Sequence, residues 1–275
     1  MLGAEEVLAG VPADVYKPSL YRYYARLDGR IKRRELAAPG NWDHLSVENV
    51  VALAPDLVIL WSSQTEAISA LERRGVRVFG IFVKGLSDVK REIEVLGEIT
   101  GRQDRAAWLL SLARSEERAL AEKLAALNVA EKPGAYFIWS QGKLHTSCNG
   151  SAVQDLIDLA GGRNICAHIS QEHAVLSLER ILEWDPEVIM MWAGGKLAAL
   201  DVKRDPQFSS VAAVKGGRVY QFKDPFEVDF WTLKYLYAAS LMASWLHPEL
   251  FKNVDLKEKG QSLLGALYGR EISGD

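Results

Sequence analysis

The sequence predicts an α/β protein of two lobes, each with a mostly parallel sheet flanked by helices, joined by one long helix. Three observations predict this class. A segment of helix and strand character occurs twice, each copy holds a short apolar run typical of a buried parallel strand, and a long stretch with helical spacing separates the copies. The predicted boundaries are 1–102 for the N-terminal lobe, 103–127 for the linking helix and 128–275 for the C-terminal lobe.

The duplicated segment comprises residues 46–61 (SVENVVALAPDLVILW) and 177–192 (SLERILEWDPEVIMMW). In each copy a serine is suited to cap the start of a helix, and a glutamate in the first turn suits the helix dipole. A proline then ends the helix. The apolar run that follows predicts a strand covered on both faces, which ends at Trp61 in one copy and Trp192 in the other.

Both copies continue in the same way. Residues 65–74 predict a helix that leads into a strand at 75–79, and residues 205–214 predict a helix that leads into a strand at 216–220. Each half is therefore predicted to be a βαβ unit. Two such units favour two lobes over a single barrel, which would need eight repeats.

Residues 104–127 contain neither Pro nor Gly and carry apolar residues at helical spacing. At 1.5 Å per residue this helix would be about 36 Å long, enough for a rigid strut between lobes. Further helices are predicted at 89–100, from 151 onward and at 232–245, and a further strand at 135–139.

Composition excludes several classes of protein. With 48% hydrophobic and 25% charged residues, the chain is neither disordered nor collagen-like. A net charge of −3 and a pI near 6.0 argue against nucleic acid as a partner. No apolar stretch reaches the roughly 18 residues of a membrane-spanning helix, and the first residues lack the pattern of an export signal. Cys148 and Cys166 are too few for a disulfide framework, and their redox state stays open.

Ligands of open parallel sheets bind beyond the carboxyl ends of the strands. Trp61 with Ser62, and Trp192 in the other copy, occupy that position, so we expect them to face a cleft shared by the lobes. Trp139, at the end of its own strand, and Trp231 are further candidates. In the alternative interpretation, these indoles simply cap their own sheets.

Residues 16–26 (YKPSLYRYYAR) are dense in tyrosine and cationic side chains. Tyr16, Lys17, Tyr21 and Arg26 are candidates to bind an anionic, aromatic ligand, since cations bind carboxylate or catecholate oxygens and tyrosine stacks or donates a hydrogen bond. A tyrosine phenolate could also coordinate ferric iron. The alternative is an amphipathic helix with half-buried tyrosines.

Lys84 and Lys143 are two more cationic candidates for the ligand site. His168 and His173 are near neighbours, but no histidine pair has metal-ligand spacing, so no residue is directly assigned to a metal. The usual catalytic motifs are absent from the sequence. We therefore expect a protein that is not an enzyme and has no intrinsic cofactor.

Several segments together resemble one family. These are 47–59 (VENVVALAPDLVI), 96–101 (LGEITG), 159–164 (LAGGRN), 213–220 (AVKGGRVY) and 245–251 (WLHPELF). In this order, and over nearly the whole chain, they resemble the class III substrate-binding proteins of ABC importers for ferric siderophores, haem and cobalamin.

The resemblance implies two α/β lobes joined by a long helix, with only small closure on ligand binding. It also implies a periplasmic or cell-surface location, an ABC permease as partner and a monomeric state. Acidic residues on the two lobes would dock to the permease, and Glu66 and Asp201 are the candidates. Family members usually have a signal peptide and a first strand and helix before the region at 2–11, and the sequence leaves open whether the N-terminus is truncated.

The resulting hypothesis is the binding component of an ABC importer that captures a chelated metal, foremost a ferric siderophore or similar iron complex. Haem or cobalamin in the same cleft is the alternative within the family. A chelatase-like enzyme on a two-lobed α/β fold is the alternative from another class. It would need a histidine and a carboxylate facing one cleft, and the sequence offers no matched pair.

Overall fold

A computed structural model describes residues 1–41, 44–128, 132–269 and 272. The α-helices in these ranges are α1 (Pro18–Leu27), α2 (Gly29–Lys32), α3 (Val47–Ala52), α4 (Thr65–Glu72), α5 (Leu86–Ile99), α6 (Gln103–Leu124), α7 (Ala152–Leu159), α8 (Leu178–Trp184), α9 (Ala199–Lys203), α10 (Ala212–Lys215), α11 (Tyr235–Leu246) and α12 (Leu256–Tyr268). The strands are β1 (Val58–Trp61), β2 (Val78–Ile81), β3 (Gly134–Ile138), β4 (His145–Thr146), β5 (Arg163–Asn164), β6 (Ala174–Val175), β7 (Val188–Met191) and β8 (Val219–Gln221).

The chain divides into two compact units. Unit 1 comprises Met1–Val83, Arg91–Ala107 and Gly265–Asp275, and unit 2 comprises Lys84–Lys90 and Trp108–Leu264. The predicted linking helix is present as α6, which has residues in both units, as do α5 and α12. The boundaries expected at 102 and 127 stay a prediction.

Unit 1 contains the parallel pair β1 and β2, in which Trp61 is aligned with Ile81. Leu60 packs with apolar residues of α3 and α4 in a small core. The prediction that β1 is covered on both faces is wrong, because Ile59 is 44% exposed. The helices of this core cover the side of the strand that Leu60 faces, and Ile59 points the other way.

Unit 2 contains a four-stranded sheet in the order β5-β3-β7-β8, with every pairing parallel. A separate antiparallel pair joins β4 to β6. All four residues of β7 are buried, so the apolar run before Trp192 is a strand covered on both faces, as predicted.

The sequence repeat extends to the backbone. Ser46 accepts a hydrogen bond from the amide of Asn49, and Ser177 accepts the equivalent bond at the start of α8, so both serines are N-caps as predicted. In both copies the residue just before the proline has a left-handed conformation, with φ of 46° at Ala54 and 40° at Asp185. Since a residue before proline avoids the α-helical region, neither helix continues through this residue: α3 ends at Ala52 and α8 at Trp184.

The predicted helix at 205–214 is wrong. Asp205 accepts a hydrogen bond from the amide of Gln207 and starts a single 3-10 turn at Pro206–Phe208, and α10 begins only at Ala212. The side chain of Asp185 then accepts the amide of Ala212 at 2.7 Å. The crossover between β7 and β8 is therefore made of short helical pieces rather than one helix.

The two cysteines form a disulfide, Cys148–Cys166, with Cα atoms 5.2 Å apart. It links the segment after β4 to the segment after β5. Disulfides persist in oxidising compartments such as the periplasm. The redox state left open by the sequence is thus oxidised in this structure.

Candidate ligand-binding site

Three tryptophans of unit 2 meet in one group, called here the indole cluster: Trp139, Trp192 and Trp231. The ring centroid of Trp139 lies 5.3 Å from that of Trp192 and 6.0 Å from that of Trp231, and the planes of Trp139 and Trp231 differ by 17°. Trp192 and Trp231 are 5.6 Å apart with an edge-to-face orientation. These distances are those of attractive aromatic contacts.

The sheet explains why two of these rings are neighbours. β3 and β7 pair in parallel, with Ile138 opposite Met191, and Trp139 and Trp192 are the next residue of each strand. Both indoles therefore emerge at the carboxyl edge of the sheet, where ligands of such sheets bind. Trp231 reaches them from the segment between β8 and α11.

Phe230 is the buried centre of the indole cluster. Its side chain is fully buried, and its ring lies 4.7 Å from Trp192, 6.0 Å from Trp139 and 6.3 Å from Trp231. Phe230 is not among the site residues predicted from the sequence. Its position directly before Trp231 is the sequence feature that could have indicated a place in the cluster.

The three indoles differ in exposure. Trp139 is only 8% exposed, whereas Trp192 and Trp231 are half-buried. The exposed ring of His173 lies 6.1 Å from Trp139. The alternative interpretation, in which an indole caps its own sheet, therefore suits Trp139. Trp192 and Trp231 expose part of their aromatic surface to solvent, and the imidazole of His173 lies near Trp139.

The buried base of the indole cluster is held by polar contacts. The indole Nε1 of Trp139 donates to Ser147 Oγ at 2.8 Å. The carbonyl of Ser147 accepts a bond from Asn164 Nδ2 at 3.0 Å, and the next residue, Cys148, is tied to Cys166. The ring orientation of Trp139 is thus set by a hydrogen bond and a nearby covalent cross-link.

Glycine closes the loops beside the indole cluster. Gly195, three residues after Trp192, has φ of 87°, and a Cβ on it would lie 2.9 Å from the Cβ of Ser140. Only glycine fits this conformation and this close approach. The loop after β7 therefore packs directly against the loop after β3.

In unit 1, Tyr16 and Tyr21 form a second aromatic group together with Arg34. The guanidinium carbon of Arg34 lies 5.3 Å from the Tyr16 ring centroid and 5.0 Å from that of Tyr21, which is cation–π geometry. The hydroxyls donate to backbone carbonyls, Tyr16 to Leu36 and Tyr21 to Lys32, each at 2.8 Å. Arg34 is the cation that contacts both rings, and it is not among the residues predicted from the sequence.

The other candidates of unit 1 are Trp61, Ser62, Lys17 and Arg26. Trp61 is half-buried at the end of β1, and Ser62 is exposed and donates its amide to Ile81 O at 2.8 Å. Lys17 forms an ion pair with Asp14. Arg26 is exposed near the end of α1.

The two lysine candidates of unit 2 are in different settings. Lys84 is exposed, just before α5. Lys143 forms a 2.6 Å ion pair with Asp205, and this contact lowers the pKa of the Asp205 carboxyl. The ammonium of Lys143 is thus engaged within the protein.

Both candidate docking residues are exposed acids in the first turn of a helix. Glu66 lies at the start of α4. Asp201 lies at the start of α9, where its carboxylate accepts the amide of Ala198 at 2.8 Å. Their role in docking stays a prediction.

Within the described ranges of the chain, no group of three or more His, Cys, Asp or Glu side chains is placed to hold a metal ion.

Comparison with known proteins decides the family. Residues 1–225 match the family described as periplasmic binding protein. The chain belongs to the periplasmic binding protein family. Proteins of this family are the substrate-binding components of ABC importers; they bind small molecules, work with a permease and are not enzymes. The predicted class of non-enzymatic transport protein is confirmed.

Individual relatives of this periplasmic binding protein differ in ligand. The molybdate-binding protein MolA of Haemophilus influenzae is 23% identical over 280 residues, which cover 93% of this chain and 78% of MolA. A vitamin B12-binding protein of Vibrio parahaemolyticus is 26% identical over 157 residues, which cover 56% of each chain.

Solved structures confirm the two-lobed α/β class. MolA bound to molybdate matches with a TM-score of 0.82 and 21% identity, covering all of this chain and 90% of MolA. A periplasmic haem-binding protein of Pseudomonas aeruginosa matches with a TM-score of 0.71 and 22% identity, covering 90% and 87% of the two chains. Within the described residues, no helix of this periplasmic binding protein is both long and apolar enough to cross a bilayer.

Proposed function

We propose that this periplasmic binding protein captures a metal chelate, foremost a ferric siderophore or similar iron complex, on its indole cluster and delivers it to an ABC permease. The observation that carries the proposal is the meeting of Trp139, Trp192 and Trp231 at the carboxyl edge of the unit 2 sheet. The outer two indoles offer apolar, flat surface to a ligand.

The chemistry of the indole cluster favours an organic complex. Contact with aromatic rings stabilises a ligand by about 25 cal/mol for each Å² of apolar surface removed from water. A chelate has such surface, whereas a bare oxyanion needs several directed donors. The lack of a described metal-ligand cluster also fits a metal that arrives already coordinated. Relatives named for vitamin B12 and haem bind complexes of this kind.

Molybdate is the second candidate, because the likeness to MolA extends over nearly the whole chain. An oxyanion would be recognised by N–H donors and cationic side chains rather than by indole faces. His173 and the indole N–H groups of Trp192 and Trp231 are candidate donors, whereas the N–H of Trp139 is engaged with Ser147. The two candidates therefore differ in whether removal of an indole ring abolishes binding.

A ligand panel tests the proposal. The purified chain is titrated with a ferric tris-catecholate siderophore, haemin, cyanocobalamin and sodium molybdate, with tryptophan fluorescence and calorimetry in parallel, since the chelates absorb light. We expect saturable one-to-one binding of a metal chelate. Binding of molybdate alone would replace the proposal by the second candidate, and binding of none of the four would overturn it for these ligand classes.

A further inference from the structure

Lys234 lies buried next to the segment that carries Trp231. Its side chain is only 3% exposed, and its Nζ lies 3.6 Å from Asp229 Oδ2 and 4.3 Å from the ring centroid of Phe226. A buried ammonium destabilises a fold by several kcal/mol unless opposite charge compensates it. Burial lowers the pKa of Lys234, and the charges of Asp229 and Asp224 oppose that shift.

The Asp229 carboxylate has a second contact. Its Oδ1 accepts the backbone N–H of Trp231 at 3.0 Å. One carboxylate therefore joins the buried ammonium to the backbone of a residue in the indole cluster. Phe230 lies between Asp229 and Trp231 in the chain, and its ring centroid lies 4.7 Å from that of Trp192.

We propose that Asp229 and Lys234 are positioning residues for the ligand site. The ammonium holds the Asp229 carboxylate, and the carboxylate holds the amide of Trp231, so that the indole keeps its place beside Trp139. Methionine at 234 together with an uncharged residue at 229 would fill the same space without either charge, and replacing a buried ion pair by uncharged groups often does not destabilise a protein. The pair is thus best explained by the single geometry that it imposes on residues 229–231.

The inference rests on the proposed function only for the claim that Trp231 contacts ligand. The claim that Asp229 and Lys234 hold the indole of Trp231 in place is tested without ligand. Neighbouring indoles in fixed orientation give a near-UV circular dichroism signal. The variants are Lys234→Met, Asp229→Asn and the double variant. The matched control is Lys259→Met with Glu116→Gln, which removes a 2.9 Å ion pair in unit 2 outside the indole cluster.

We expect each single variant to reduce the near-UV signal and to weaken binding of the ferric tris-catecholate about tenfold. The double variant should weaken binding no further than either single variant, since both residues act through one contact. The control should change neither quantity. If a single variant fails to fold, the double variant, which removes both charges of the Asp229–Lys234 pair, is compared with the wild type by the same two measurements.

Unchanged near-UV signal and unchanged dissociation constant, with a fall in melting temperature alone, would overturn the positioning role. Additive losses in the double variant would show that the two residues act separately and would also contradict it. A reduced near-UV signal in a protein whose wild type binds none of the chelates would leave the positioning role intact while overturning the proposed function.

Discussion

The indole rings of Trp139 and Trp231 stack within 17° of parallel at 6.0 Å, although one follows β3 and the other lies between β8 and α11. The first ring is buried and hydrogen-bonded, and the second is partly exposed. The indole cluster thus has a fixed base and a solvent-facing surface, the arrangement expected of a preformed binding site.

Trp61 tests whether unit 1 also contributes to binding. We predict that Trp61→Ala weakens binding of the chelate about tenfold with little loss of stability, because the ring is half-buried at the end of a strand. Calorimetry measures the affinity, and Trp108→Ala, which removes a 45% exposed indole from α6, is the control. Equal affinity of Trp61→Ala and wild type would remove Trp61 from the site.

Tyr16 and Tyr21 test the idea of phenolate coordination. Tyr16→Phe and Tyr21→Phe each remove a hydrogen bond to a carbonyl, so each should lower the free energy of unfolding by about 1 kcal/mol. The visible absorption of a bound ferric complex should stay unchanged, because these hydroxyls are engaged with the backbone. A shifted charge-transfer band in either variant would show coordination.

Arg34 is predicted to distinguish anionic from neutral chelates. Its guanidinium is oriented by two tyrosine rings, so Arg34→Gln should weaken binding of the anionic ferric tris-catecholate more than binding of cyanocobalamin. Arg33→Gln is the control, since Arg33 pairs with Glu35. Equal effects of the two substitutions on both ligands would contradict a specific role for Arg34.

The disulfide Cys148–Cys166 is predicted to stabilise unit 2. It closes a loop with a sequence separation of 18, for which reduction should cost about 3 kcal/mol. Urea unfolding with and without a reductant measures the difference. The double variant Cys148→Ser, Cys166→Ser should have the urea midpoint of the reduced protein, and adding reductant should not change that midpoint. A wild-type midpoint that does not respond to verified reduction would contradict the prediction.

His247 is predicted to make stability depend on pH. Its buried ring contacts Gly161 O at 3.0 Å through Nε2, and burial, with the nearby charge of Arg218, lowers its pKa. The unfolded chain takes up a proton at a pH near 6.5, whereas the folded protein does so only at lower pH. The contribution of neutral His247 to the free energy of unfolding is therefore fully present above pH 6.5, and it is lost as the pH falls through the pKa of His247 in the folded protein.

Melting temperatures between pH 7.5 and 5 test this dependence. His247→Gln, which can still donate to the Gly161 carbonyl, should flatten the decline below pH 6.5. The same slope in the variant and the wild type would assign the decline to other groups.

The sequence predicted those features that depend on local pattern. The N-caps Ser46 and Ser177, the long helix α6 and the strand-end positions of Trp139 and Trp192 followed from spacing and from the repeat. The helix predicted at 205–214 failed because side-chain hydrogen bonds, rather than apolar spacing, decided the local structure.

Features that depend on tertiary packing could not be predicted from the sequence. Arg34 reaches Tyr16 and Tyr21 only through the turn after α2, and Lys234 is buried by a segment with no regular structure. Nothing in the spacing of residues 229–234 indicates which charge is paired. The exposure of Ile59 likewise depends on which helices cover the unit 1 sheet.

Calorimetric titration of Trp192→Ala and Trp231→Ala with the ferric tris-catecholate complex tests the central claim most directly, with Trp184→Phe on α8 as the control. We predict that each alanine variant raises the dissociation constant about 10-fold to 100-fold, a loss of roughly 1.4–2.8 kcal/mol, and that the control does not change it. Wild-type affinity in both alanine variants, with wild-type binding established, would contradict the indole cluster as the ligand site.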